Sequence, residues 1–239
     1  MHILINGATS FSGIALCMNL INSGHTISII TGDFSKTESK LTQPQREAFL
    51  DLIESSNSIV YTYEEFSINY KTILLSNPIF GNVSAVVVHG YDTYNYNSHS
   101  YNPLSHASNS TSWILEIDQV FRNNLTLPVF YTGTYFENWS SFNYSRPFSK
   151  YAESKTLAWN IIVKHLPNCQ HYTYRLPNPF GLLESKKLLY QLLSTWRNKK
   201  PFPLLFPYQV RDNVPIDFLI SDYTKNIIHR HKTYTKTPQ

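Results

Sequence analysis

Tyr151 and Lys155 are the residues of this 239-residue chain whose types and spacing most directly suggest chemistry. Four residues apart on a helix, they lie on one face, a single turn separated. A free phenol titrates at about pH 10 and is a poor acid or base at neutral pH. A fixed ammonium beside it favours the phenolate and is expected to lower that value. The pair can then pass a proton to or from a substrate oxygen. With 17 tyrosines in the chain, a Tyr-x-x-x-Lys spacing also arises by chance on surface helices, so the pair needs a context.

The amino terminus supplies one. His2 to Asn6 is a short apolar run that reads as a buried strand. Gly7-Ala8-Thr9-Ser10-Phe11-Ser12-Gly13 follows, then a segment from Ile14 to Ser23 with apolar residues at helical spacing, closed by Gly24. His25 to Ile30 is a second short strand. Strand, glycine turn, helix and strand make a βαβ unit that can hold a dinucleotide at its first turn. Gly7 permits the tight turn, and Gly13 lets helix and strand pack closely. The helix start offers free backbone N–H groups to a pyrophosphate. Thr9, Ser10, Phe11 and Ser12 line that turn. Ser10 stands where the middle glycine of such turns is usual, and its side chain either crowds the pyrophosphate or hydrogen-bonds it.

The opening resembles the Gly-x-x-Gly-x-x-Gly start of the extended short-chain dehydrogenase/reductases, the NAD-dependent epimerase/dehydratase family. Further segments resemble that family in order. Val83 to His89 is similar to its fourth strand, ending where the cofactor passes. Pro103 to Asn109 is similar to the entry to the next helix. Val129-Phe130-Tyr131-Thr132-Gly133-Thr134 resembles the strand that carries the catalytic Ser/Thr. Tyr151 and Lys155 match the catalytic pair. Arg175 to Gly181 resembles an Arg-x-x-Asn-x-x-Gly signature, and Arg211 to Asp217 resembles an Arg-Asp-x-x-x-Val-Asp segment.

The resemblance implies an α/β fold: a Rossmann-type, doubly wound parallel sheet with a small carboxy-terminal substrate lobe, shorter than in relatives. Residues 1–177 would form the NAD(P)-binding domain, 178–211 the nucleotide-sugar lobe, and 212–231 would pack back on the first. It also implies roles. Tyr151 is the acid, and Lys155 tunes it and holds the ribose hydroxyls. Thr134 bonds the substrate oxygen, with Thr132 taking that place if the register slips by two. Asn109 either joins a proton relay or caps a helix. His89, Pro177 and Asn178 border the cofactor, although His89 reads equally as a structural residue at a strand end. Tyr135, Asn178 and Arg211 face the substrate, Arg211 as a bidentate diphosphate ligand.

Elsewhere, Gln45 to Ile53, Thr111 to Asn123, Leu188 to Arg197 and Ser221 to Arg230 read as helices, and Val214 to Phe218 as a strand. The polar aromatic stretch Tyr91 to Asn102 is either a frame for the site or low-complexity surface. Trp139, Phe142 and Tyr144 are candidates to line a substrate pocket. A hydrophobic content of 42% supports a sizeable core. The formal charge of +4 has no lysine/arginine stripe behind it, which argues against nucleic acid as a partner. The two cysteines, Cys17 and Cys169, make no disulfide framework, and no His/Cys/Glu spacing suggests a metal. No transmembrane run or signal peptide stands out, so a cytoplasmic location is expected.

The second strand ends at Thr31, where an NAD-preferring fold places an acid for the ribose hydroxyls. Thr31 would not repel a 2′-phosphate, and Ser35 and Lys36 can reach one. NADP(H) is therefore the expected cofactor, with NAD(H) the alternative if Asp33 swings in. Tyr131 to Phe136 resembles a segment of abequose-synthase-type reductases. That implies an NADPH-dependent reductase of a CDP- or dTDP-linked 4-keto-deoxyhexose, serving O-antigen and lipopolysaccharide sugar biosynthesis. A homodimer built through the Tyr151 helix is implied as well. An epimerase with tightly held NAD and a non-catalytic dinucleotide sensor are the rivals. A dehydratase is disfavoured because Thr134-Tyr135-Phe136-Glu137 lacks an acidic pair directly after the threonine.

Overall fold

The computed structural model describes residues 1–31, 41–55, 59–62, 83–93, 95–96, 98–121, 127–137, 149–184, 188–203 and 212–229. Its strands are β1 (His2–Asn6), β2 (Thr26–Thr31), β3 (Ile59–Thr62), β4 (Val83–Val88), β5 (Pro128–Thr134) and β6 (Gln170–Leu176). They form a parallel sheet in the order β3-β2-β1-β4-β5-β6. Such a sheet is covered on both faces, so its strands need apolar residues at nearly every position. This explains why His2-Ile3-Leu4-Ile5-Asn6 is buried throughout.

Strand alternation divides the core in two. Ile3, Ile5, Ala85, Val87 and Phe130 point to one face, where α1 (Phe11–Asn22) and α6 (Ile216–His229) pack against each other. Leu4, Val86, Val88, Val129 and Tyr131 point to the other, under α3 (Pro103–Phe121) and α4 (Lys150–His165). α2 (Gln43–Ser55) adds Phe49 and Leu52 to the first face. After β6 the chain forms β7 (Asn178–Phe180), then α5 (Leu188–Arg197), and returns as β8 (Asn213–Pro215), parallel to β7. Among the described residues no helix is long and apolar enough to cross a membrane.

Among the boundaries that differ from the expectation, two have a clear local reason. α3 starts at Pro103 rather than Thr111. Asn102 Oδ1 accepts from Ser105 N at 3.1 Å, and Pro103 brings the fixed φ that suits a first helical position. The strand expected over Val214 to Phe218 shrinks to β8, because α6 already opens at Ile216. Ile216, Ile220, Tyr223 and Ile227 recur at helical spacing and bury against the first face of the sheet.

Candidate active site

β1 and β4 are neighbours at the centre of the sheet, and the strand order reverses between them. Their carboxyl ends are the place where such sheets bind ligands. Gly7 sits there with φ 79°, a conformation L side chains rarely take. A Cβ on Gly7 would lie 2.2 Å from Gly90 Cα, and one on Gly13 would lie 2.0 Å from Gly7 O. Both sequence-predicted glycines are thus required by close backbone approach. Gly90, which the sequence reading passed over, is the second half of the Gly7 contact.

Ser10 stands at the start of α1. Its hydroxyl turns back into the turn, accepting from Gly13 N at 3.0 Å and donating to Gly7 O at 3.0 Å. It caps α1. Phe11 sends its side chain into the core.

Asn6 ends β4. Its Oδ1 accepts from His89 N at 2.8 Å and from Gly90 N at 3.1 Å, tying the chain to β1 just past Val88. His89 then bridges three elements. One ring nitrogen, Nε2, lies 2.9 Å from Ser12 Oγ, and the other, Nδ1, lies 3.0 Å from Thr132 Oγ1. Thr132 Oγ1 is also 2.7 Å from the Tyr223 hydroxyl on α6. Burial, with the Lys155 charge nearby, holds the His89 ring down at about 3. It is neutral at physiological pH, so it accepts from one hydroxyl and donates to the other.

Tyr151 and Lys155 lie one turn apart on α4, whose start is capped by Ser149 Oγ accepting from Ala152 N at 3.2 Å. Tyr131, buried on β5, anchors the helix by donating to Lys155 O at 2.8 Å. The Lys155 ammonium donates to Thr132 O at 2.7 Å. It lies 4.5 Å from the centroid of the Tyr91 ring and 4.9 Å from that of Tyr131. Burial brings this ammonium down to about 8, while the charge of Glu137 pulls it upward.

Tyr151 corrects one expectation. Its phenol is pushed up, not down, by burial first and then by Glu137, Tyr101 and Tyr96. The resting phenol is protonated. Thr134, at the end of β5, is half-buried, and its backbone N–H donates to Glu137 Oε1 at 2.6 Å. Glu137 is the residue the sequence reading undervalued: it is only 7% exposed.

The remaining expectations divide. Asn178 Nδ2 donates to the Tyr135 hydroxyl at 3.2 Å, bringing two predicted substrate residues together beside the half-buried Pro177. Thr31 is buried at the end of β2. Asn109 is a correction: it is exposed on α3, and the inward position is Ser110, whose hydroxyl accepts from Asp92 N at 2.9 Å. The start of α3 at Pro103 places Asn109 mid-helix, so it is not the cap of that helix. Tyr91, Tyr96 and Tyr101 of the aromatic stretch do frame the pair. Tyr91 and Tyr96 contact the Tyr151 ring, and the Tyr101 hydroxyl lies 2.8 Å from Ser154 Oγ. Ser35, Lys36, Trp139, Phe142, Tyr144 and Arg211 lie outside the described residues.

Comparison with solved structures follows this geometry. A UDP-glucuronic acid 4-epimerase from Bacillus cereus, solved with UDP-glucuronic acid and NAD, superposes with a TM-score of 0.66 at 18% identity, over 92% of this chain and 71% of that one. The fold is that of the nucleotide-sugar epimerases. A UDP-glucose 4-epimerase from Bifidobacterium longum, solved with NAD+ and UDP, gives 0.67 at 14% identity over 98% and 76%. A protein from Burkholderia cenocepacia described as an epimerase by inference gives 0.70 at 15% over 98% and 74%. No protein-family model matches the chain, and no curated protein does.

Proposed function

We infer that the chain is a nicotinamide-dinucleotide-dependent oxidoreductase acting at a keto or hydroxyl carbon of a nucleotide-linked sugar. Within that class it works as an NADPH-dependent 4-ketoreductase of a CDP- or dTDP-linked deoxyhexose. The observation that carries this reading is the Lys155 ammonium, one turn from Tyr151 on α4, bound to Thr132, whose hydroxyl is linked through His89 to Ser12 at the start of α1.

The residues present fit a dinucleotide. The Phe11 and Ser12 N–H groups start α1, Ser10 caps that helix, and uncharged Thr31 ends β2. Phe11, Ser12 and Gly13 would hold the pyrophosphate, Lys155 the ribose hydroxyls, and Thr31 with Ser35 and Lys36 a 2′-phosphate. A bound nicotinamide supplies the hydride. Tyr151 gives its proton to the sugar oxygen as charge builds there, and Thr134 donates a hydrogen bond to the same oxygen. Asn178 and Tyr135 border the sugar, and Arg211 takes the diphosphate.

An epimerase that retains NAD is the second reading. It is favoured by the structural neighbours solved with NAD.

Two measurements on the purified chain separate them. Thermal melting with NADPH, NADH and NAD+ reads cofactor preference, since a ligand at a hundred times its dissociation constant adds about 2.7 kcal/mol of stability. Consumption of NADPH on addition of a nucleotide-linked 4-keto sugar supports the reductase. Co-purified NAD with interconversion of sugar epimers and no net redox overturns it.

A further inference from the structure

β5 outruns its neighbour. Its pairing with β4 stops at Val88↔Tyr131, whereas its pairing with β6 continues through Thr132, Gly133 and Thr134. Residues alternate in which neighbour their backbone groups face. Tyr135 N bonds Leu176 O on β6, so Thr132 O and Thr134 N face the opposite, unpaired edge. Buried backbone groups need partners. Here two side chains of opposite charge supply them. The Lys155 ammonium takes Thr132 O at 2.7 Å, and the Glu137 carboxylate takes Thr134 N at 2.6 Å.

We propose that Glu137 is a positioning residue for this site: its buried carboxylate holds the Thr134 turn and faces Lys155 as the counter-charge across the open edge of β5. The inference rests on the oxidoreductase reading for its catalytic consequence, but not for its geometry. The carboxylate has a built place. Gly133 points to the α4 face of the sheet, and a Cβ there would lie 2.8 Å from Glu137 Oε1 and 2.9 Å from Oε2. The glycine is the space in which the acid sits.

Among the described residues, the titratable and charged groups that sense this carboxylate are Lys155 and Tyr151 from α4, Tyr131 from β5 and Arg175 from β6. Burial raises the acid, while Lys155, the Thr134 N–H and Arg175 draw it back toward ionisation. Its charge favours the Lys155 ammonium and disfavours the Tyr151 phenolate. The carboxylate thereby favours a cationic lysine and a protonated tyrosine, the combination that a proton donor to a carbonyl oxygen requires.

Glu137→Gln keeps an acceptor for Thr134 N–H and removes the charge. Lys155 can be titrated without any substrate, by competitive acetylation across pH with peptide mass spectrometry. Its half-reaction pH should fall below that of the wild type in Glu137→Gln, and Glu137→Ala should lower it as well. An unchanged midpoint in both variants overturns the proposal. In turnover of a nucleotide-linked keto sugar, Glu137→Gln should lose about tenfold or more in kcat, with its alkaline limb moved to lower pH and a smaller change in KM.

If no keto sugar is turned over by the wild type, the function reading fails while the labelling still decides the counter-charge. Should Glu137→Gln fail to fold, the double variant Glu137→Gln, Lys155→Met answers instead. Recovery of a cooperative melt in the double variant supports the coupling, and no recovery overturns it.

Discussion

The Lys155 ammonium sits 4.5 Å from the centre of the Tyr91 ring, and that ring stands at 87° to the ring of Tyr151, 5.8 Å away. Tyr91 therefore touches both members of the candidate catalytic pair. A desolvated ammonium over an aromatic face gains electrostatic energy from the ring quadrupole. Tyr91→Leu should lower stability by about 1 to 2 kcal/mol through loss of that contact. Urea denaturation of the two proteins at neutral pH reads the difference, and equal midpoints would show that the contact contributes nothing.

Tyr151→Phe keeps the ring contacts with Tyr91 and Tyr96 and removes only the hydroxyl. Keto-sugar reduction should fall by about 10²- to 10⁴-fold, the usual worth of a positioned proton donor. The melting shift produced by NADPH should be retained. Undiminished turnover in this variant removes Tyr151 from the mechanism.

His89 predicts a pH dependence of stability. Its unfolded-state value is about 6.5, and its folded value is held down at about 3 by burial and by Lys155. Between those values the unfolded chain binds a proton that the folded chain does not. Stability is therefore complete above the unfolded value and is lost as pH falls toward the folded one, by up to about 1.4 kcal/mol per pH unit from this residue. Urea midpoints at pH values on either side of 6.5 measure the slope. His89→Gln should flatten it, at a stability cost of about 1 to 3 kcal/mol at neutral pH, because Ser12 and Thr132 lose a matched partner.

Much of this was legible in sequence because it is local. The order of β1, α1 and β2 follows from an apolar run, a glycine turn and helical spacing inside one short stretch. Tyr151 and Lys155 fall on one face by helix geometry alone. The rest depends on pairings far apart in the chain. Asn6 looked like the end of a strand, yet its side chain stops β4 at His89, 83 residues away. Nothing in the spacing of Glu137 singles it out, and its place is intelligible only once β5 is known to overrun β4. Tyr223 joins the His89 chain from the last helix, which no motif announces. The lowered phenol was misjudged because spacing on a helix says nothing about burial or about a third charge.

Gly90→Ala probes the contact with Gly7. The added Cβ would lie 2.7 Å from Gly7 Cα and 2.9 Å from Gly7 N, and backbone atoms cannot swing aside. Stability should drop by about 1 to 3 kcal/mol from overpacking. The melting shift with NADPH should shrink further than global stability does, since the Gly7 turn is what moves. An NADPH shift equal to that of the wild type would separate this contact from cofactor binding.

The uneven lengths of β4 and β5 carry a consequence for how such a site could be lost. Extending β4 by a further residue pair would zip Thr132 and Thr134 into the hydrogen-bonded ladder, and the sheet itself would gain. Lys155 and Glu137 would then be left facing each other with nothing to grip. The asparagine that halts β4 at the sixth position of the chain therefore guards a vacancy: the grip of Lys155 and Glu137 depends on a ladder left one rung short.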